Sequence, residues 1–244
     1  MEKIKTKLRN LKLAGMVKSI ESRNVFAIEN KASYIDFIEL LLEDEHVNRI
    51  SNSFSKRLNK SKIDTQKTID AFDFNYQPEL NKKQIFDIAA CRFVNENKNI
   101  VLMGKPGVGK THLANAIGLE AIKQGYKVIF LHINDLIEKI NLAKADGSIN
   151  TFMNMLLNAD LLILDELGFK KLPADSIDGF FEVIRKRYEK GSIIITTNRN
   201  FEDWGNVFGD YVMASAIIDR IIHHAIIIKI NGDSFRIKNF KNDK

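Results

Sequence analysis

At 244 residues, with 45% hydrophobic and 28% charged side chains, the chain can build one sizeable α/β domain and a small appendage. That apolar content excludes disorder, and the single cysteine, Cys91, excludes a disulfide scaffold. A net charge of +6 permits a nucleic-acid partner without requiring one.

The excess charge sits at the two ends: +4 over residues 1–70 and +3 over the last sixteen. The longest apolar runs, such as 161–164 and 225–228, are strand-sized, so no membrane span is expected. Met1 leads directly into Glu2-Lys3-Ile4-Lys5, which is not the apolar start of a signal peptide. A reducing cytoplasm is the expected address.

Residues 1–65 read as an N-terminal helical domain. Ile4, Leu8 and Leu11 lie at helical spacing, and Gly15 is expected to interrupt or end that segment. A second apolar stripe follows through Tyr34, Phe37, Ile38, Leu41, Leu42, Val47, Ile50, Phe54 and Leu58. Ser33 is its expected N-cap, with Asp36 completing a capping box. A linker is placed at 60–70, and residues 66–244 form the second domain.

From about residue 70, short apolar runs alternate with amphipathic stretches, the pattern of a mainly parallel sheet covered by helices. Strands are expected at 100–103, 127–131, 161–165, 192–196 and 225–230. Helices are expected at 111–124, 134–144, 149–158, 174–190 and 211–222. Cys91, on an apolar helical face, is expected in the core.

Gly104-Lys105-Pro106-Gly107-Val108-Gly109-Lys110-Thr111 fits G-x-x-x-x-G-K-[ST] in full, with a strand before it and a helix after it. Glycines let backbone N–H groups curl around a phosphate, and the helix N-terminus adds partial positive charge. Lys110 then reaches the β/γ oxygens, and the Thr111 hydroxyl is a ligand for Mg²⁺.

The run 161–164 delivers Asp165 and Glu166 at a strand end. Asp165 is expected to hold Mg²⁺ and Glu166 to polarise the attacking water. Asp165-Glu-Leu-Gly168 also spells the D-x-x-G of GTPases, but no N-K-x-D tetrapeptide accompanies it. ATP is therefore the expected nucleotide. Ile193-Ile194-Ile195-Thr196-Thr197-Asn198 ends in a polar residue that can sense the γ-phosphate if its strand lies between the other two.

Arg220 interrupts the apolar face of the 211–222 helix. It reads either as a surface ion pair with Asp219 or Asp210, or as an arginine finger offered to a neighbouring subunit. His223 and His224 are adjacent, so on a helix they point about 100° apart and make no i, i+4 metal pair. No zinc site is expected. Arg236 can serve a nucleotide, DNA or only solvent.

These motifs, in this order and spacing, resemble the AAA+ ATPases, and within them the clade of DnaC-like helicase loaders and IstB transposition helpers. The stretch from Gly104 to Leu113, with His112 after Thr111, is similar to the IstB loop. The segment 200–210, with Phe201, Trp204, Phe208 and Asp210, resembles that family's F-x-x-W-x-x-x-F-x-D pattern. Residues 218–225 and 232–238 resemble its closing signature, and 11–16 its N-terminal helix.

The resemblance implies an AAA+ P-loop NTPase domain with a five-stranded parallel sheet and a small N-terminal helical domain. In a departure from many AAA+ proteins, no C-terminal lid is expected, since the chain stops at Lys244. The resemblance further implies an ATP-hydrolysing helper of an IS21-type transposase, a homo-oligomer on double-stranded DNA with little sequence preference. ATP would lie at subunit interfaces, on residues 104–112 of one copy with Arg220 of the next. The N-terminal helices would make oligomer and partner contacts. A DnaC-like loader of a replicative helicase is the alternative.

Overall fold

The computed structural model describes residues 1–235, so Arg236, Ile237 and Lys238 of the closing signature lie outside the described residues. The chain divides into two units, 1–56 and 57 onward. In the first, α1 (Glu2–Asn10), α2 (Ala14–Glu29) and the start of α3 (Tyr34–Ser61) bury Met16, Ile20 and Leu41, with Leu8, Leu13 and Phe37 packed against them. The Ser33 hydroxyl accepts from the Asp36 N–H (3.2 Å) while the Asp36 carboxylate accepts from the Ser33 N–H (3.0 Å), the expected reciprocal cap.

Gly15 does not end a helix. The break falls at residues 11–13, and Gly15 sits in the first turn of α2, where a Cβ would lie 2.6 Å from the Glu45 Cα of α3. Glycine is needed there for close helix packing. Leu13 offers no cap, so Glu45 supplies one from α3, accepting from the Gly15 N–H at 2.6 Å.

In the second unit, residues 62–81 form an irregular strap with one 3₁₀ turn at Phe74–Tyr76, followed by α4 (Lys82–Ala89) and α5 (Arg92–Asn95). Then β1 (Asn99–Gly104), α6 (Lys110–Lys123), β2 (Val128–His132), α7 (Ile133–Ala145), α8 (Ile149–Leu157) and β3 (Leu161–Leu167) alternate. The chain continues through α9 (Ala174–Arg187), β4 (Ser192–Thr197), a 3₁₀ turn at Phe201–Asp203, α10 (Trp204–Phe208), α11 (Tyr211–Ile222) and β5 (Ala225–Ile230). All strand pairs are parallel, in the order β2-β3-β4-β1-β5.

Strand alternation sends Leu162 and Leu164 into a core with α7–α11, while Ile163 meets Gly118 of α6 on the other face. Sheet and covering helices thus leave the C-terminal strand ends as the place for a site. Arg187, 1% exposed, ties the opposite ends: its guanidinium donates to the carbonyls of Leu156, Ala159, Asp160 and Ser192.

Cys91 is fully buried as expected, though in a left-handed turn between α4 and α5 rather than within a helix. Burial, with the Glu120 charge second, pushes its thiol up to about 12, so it is an inert core group. Among the described residues, no helix is long and apolar enough to cross a membrane.

Candidate nucleotide-binding site

β1 ends at Gly104, where only glycine fits because a Cβ would overlap the Ile230 carbonyl of β5. The loop that follows takes left-handed backbone at Gly107 (φ 83°) and Gly109 (φ 98°), conformations that favour glycine and turn successive N–H groups toward one concavity. Two outer segments close on this loop. A Cβ at Gly109 would lie 2.5 Å from the Phe72 ring, and one at Gly107 would overlap Ser234.

The Phe235 N–H donates to the Gly107 carbonyl at 3.0 Å. The Tyr76 hydroxyl donates to the Ser234 carbonyl (3.1 Å), and Gln77 Nε2 to that of Asp233 (3.0 Å), joining the strap to the chain after β5. His112 meets the Thr68 carbonyl through Nε2 at 2.7 Å and sets its ring edge-on to Phe72. His112 thus positions the wall of the site.

Lys110 Nζ donates to the carbonyls of Gly104 (2.7 Å) and Lys105 (2.8 Å), which keeps the ammonium at the mouth of the loop. Thr111 Oγ1 donates to both oxygens of Asp165, at 3.0 and 3.1 Å. Asp165 is fully buried at the end of β3, where Thr196 Oγ1 also donates to it and His132 Nδ1 stands 3.3 Å away. A buried carboxylate touching a hydroxyl at a loop–helix junction is the hard-oxygen donor pair that suits Mg²⁺.

Glu166 follows directly, yet faces the cleft instead of alternating to the far side. A register shift between Leu164 and Leu167, with Glu166 at φ +65°, makes this bulge. Its N–H donates to Thr196 Oγ1 at 2.9 Å. β4 does lie between β1 and β3, so Asn198, just past its end, stands between the loop and the acids. The Asn198 Oδ1 is buried with no hydrogen-bond partner among the described residues, an acceptor at the lining of the cleft.

A cleft of about 390 Å³ opens here, with Asp165 buried beneath Thr111 and Thr196 rather than on its lining. Its floor is 106–112 with Glu166, Thr196 and Asn198; its wall is Phe72, Tyr76, Phe169 and Phe235. A polar, N–H-rich floor and an aromatic wall fit the phosphates and base of a nucleotide. Gly104 and Lys105 lie behind the floor and contribute their carbonyls to Lys110.

Arg220 is not brought to this cleft. It is half-buried on α11, donating to the Ala216 carbonyl (2.8 Å) with its guanidinium 5.2 Å from the Phe181 ring centroid. Neither Asp219 nor Asp210 pairs with it, and Asp210 instead caps α11 through the N–H groups of Val212 and Met213. Sequence reasoning missed Phe72, Tyr76, Phe169, Thr196 and Phe235. The aromatic cluster 72–76 was the available signal, but only the fold sets it against the loop.

Residues 6–243 match the family model for IstB-like ATP binding proteins. The chain belongs to that family. Among IstB-like relatives, it is 36% identical to the protein named for ATP binding in insertion sequence IS21 of Pseudomonas aeruginosa, over 98% of this chain and 90% of that one. It is 37% identical to the corresponding protein of IS5376 from Geobacillus stearothermophilus, over 97% and 94%.

Among solved structures, AMPPCP-bound DnaA from Aquifex aeolicus matches with TM-score 0.60 and 27% identity, over 75% of this chain and 56% of that one. The IstB-like chain therefore spans little more than half of that DnaA chain. The DnaC helicase loader matches with TM-score 0.54 and 25% identity, over 61% and 87%. The five-stranded parallel sheet, covered by helices, is the AAA+ form of the P-loop fold.

Proposed function

We propose that this IstB-like protein binds and hydrolyses ATP with Mg²⁺, assembles as a homo-oligomer on double-stranded DNA, and recruits or stimulates the transposase of an IS21-type insertion sequence. The observation that carries the ATPase reading is convergence. Three sequence-distant segments, the 104–111 loop, the Asp165-Glu166 pair and Asn198, meet at one cleft on adjacent strand ends, with Asp165 buried beneath Thr111. The insertion-sequence reading rests on similarity along nearly the whole chain.

In this reading the loop N–H groups and Lys110 hold the β- and γ-phosphates, while the aromatic wall holds the base. Thr111 and Asp165 would hold Mg²⁺, which when bound neutralises charge on the phosphates. The Glu166 carboxylate accepts a proton from the attacking water, and the unsatisfied Asn198 Oδ1 helps to orient that water. Arg220 of a second copy completes the charge balance at the γ-phosphate. Residues 1–65 carry oligomer and partner contacts, and basic side chains grip DNA phosphates in a salt-sensitive way.

Sedimentation with duplex DNA and a non-hydrolysable ATP analogue tests this reading. The wild type should form large nucleotide-dependent complexes that K110A does not form. A protein that stays monomeric with both ligands present would overturn it. The second reading, a helicase loader, draws on the likeness to the DnaC loader. Pulldown of a replicative helicase without transposase would favour it.

A further inference from the structure

On a continuous helix, His223 and His224 would diverge. Instead α11 stops at Ile222, and the chain turns through both histidines into β5. The turn sets their rings together, with centroids 4.1 Å apart and planes at 51°. The turn between α9 and β4 brings Glu189 to the same place, its Oε1 3.4 Å from His224 Nε2. One donor atom from each of the three residues lies within 4.8 Å of the other two.

The spacing is close to that of a shared ion. Two ligands bound at about 2.0–2.1 Å in a tetrahedral site stand about 3.3–3.4 Å apart. The His224–Glu189 pair already has this separation, and a side-chain adjustment of about 1.5 Å brings in the third donor. The Tyr188 hydroxyl meets His223 Nδ1 at 2.8 Å, the kind of outer partner that fixes the orientation of a ligating imidazole. All three ligand residues are exposed, so a fourth position opens to water.

We propose that Glu189, His223 and His224 bind a zinc-class divalent transition-metal ion. Two imidazoles and one carboxylate suit zinc rather than magnesium, which favours oxygen donors alone. The site is separate from Thr111 and Asp165: it lies where β4 and β5 begin, whereas the nucleotide cleft lies where strands β3 and β4 end. A bound ion clamps the α9–β4 turn to the α11–β5 turn, three residues after Arg220.

Co²⁺ titration of the nucleotide-free full chain, read by visible d–d absorption and then by Zn²⁺ displacement, tests the proposal. One saturable equivalent with four- or five-coordinate bands is expected. Binding should weaken at least about tenfold in H223A, H224A and E189A, and by a similar factor in Y188F, which removes only the outer partner. It should persist in D165N.

Zn²⁺ should also raise the melting temperature of the wild type and not that of the H223A/H224A double variant. The same melting temperature for both proteins without metal shows that the variant folds. An absence of saturable bands, an unchanged titration in the double variant, or loss of the bands in D165N would each overturn the assignment. The last result would place the ion in the nucleotide cleft.

Discussion

At the scale of single residues, one hydroxyl joins the two acids of the cleft. Thr196 Oγ1 donates to the Asp165 carboxylate and accepts from the Glu166 N–H. It thus fixes both the buried charge and the left-handed bulge that turns Glu166 toward the loop. T196V removes both bonds at nearly constant volume and leaves the fully buried Asp165 with one donor fewer. We expect a stability cost of about 1–3 kcal/mol by urea unfolding. ATP turnover should fall about tenfold with little change in KM, because the reacting groups are misplaced while the phosphate loop is intact. T196S keeps the hydroxyl and should recover most of the rate. Equal kcat values for wild type and T196V would remove Thr196 from any positioning role. The hydrophobic run ending in Asp165-Glu166 was readable in the sequence, but the bulge that aims Glu166 was not. A bulge depends on the register with β4, which no local pattern encodes.

At the scale of elements, the strands were legible because each is a short, buried apolar run bounded by turn residues. β5 was expected at 225–230 and found there, and α11 at 211–222 likewise. The aromatic wall was not legible, since Phe72 and Phe235 meet the loop only after the whole sheet has formed. The same blindness applied to α2, whose cap comes from Glu45 on α3. A neighbouring pair on these helices makes a pH-dependent tie. Arg23 hydrogen-bonds both oxygens of Asp44, at 2.7 and 2.8 Å, and this bond holds the carboxyl at about 2, below its usual 3.8. A depressed folded-state value means the tie is fully present above about pH 4 and is lost as pH falls through 2. Both side chains are partly exposed, so solvent screening keeps the contribution of the pair small. Amide-exchange protection of α2 in the full chain should therefore fall about fivefold between pH 4 and 2, after correction for intrinsic exchange. In R23A, protection should already be low at pH 5, with no further drop specific to this window. A wild-type profile superimposable on that of R23A would show that the pair contributes nothing.

At the scale of the whole molecule, the guanidinium that the proposed mechanism assigns to the γ-phosphate does not stand at the cleft of its own copy. The cleft gathers the loop, Lys110, Glu166 and Asn198 over the buried Asp165, while Arg220 rests apart on α11 against Phe181. Among the described residues, the cleft lining carries the ammonium groups of Lys67 and Lys110 and the loop N–H groups, but no guanidinium. If Arg220 acts across a head-to-tail interface, two different lesions can complement each other. R220A retains an intact cleft but offers no finger, and E166Q retains the finger but cannot activate water. Each alone should hydrolyse ATP at least about 100-fold more slowly than the wild type, while still binding nucleotide. In a 1:1 mixture on duplex DNA, roughly a quarter of head-to-tail interfaces pair a sound cleft with a sound finger, so about a quarter of the wild-type rate should return. R220K should not substitute, because a point charge does not reproduce the planar fork of arginine. The dependence of the recovered rate on mixing ratio discriminates further: complementation across an interface gives a maximum near equal amounts. Were Arg220 to act within its own chain, the rate would stay at the level of the separate variants at every ratio.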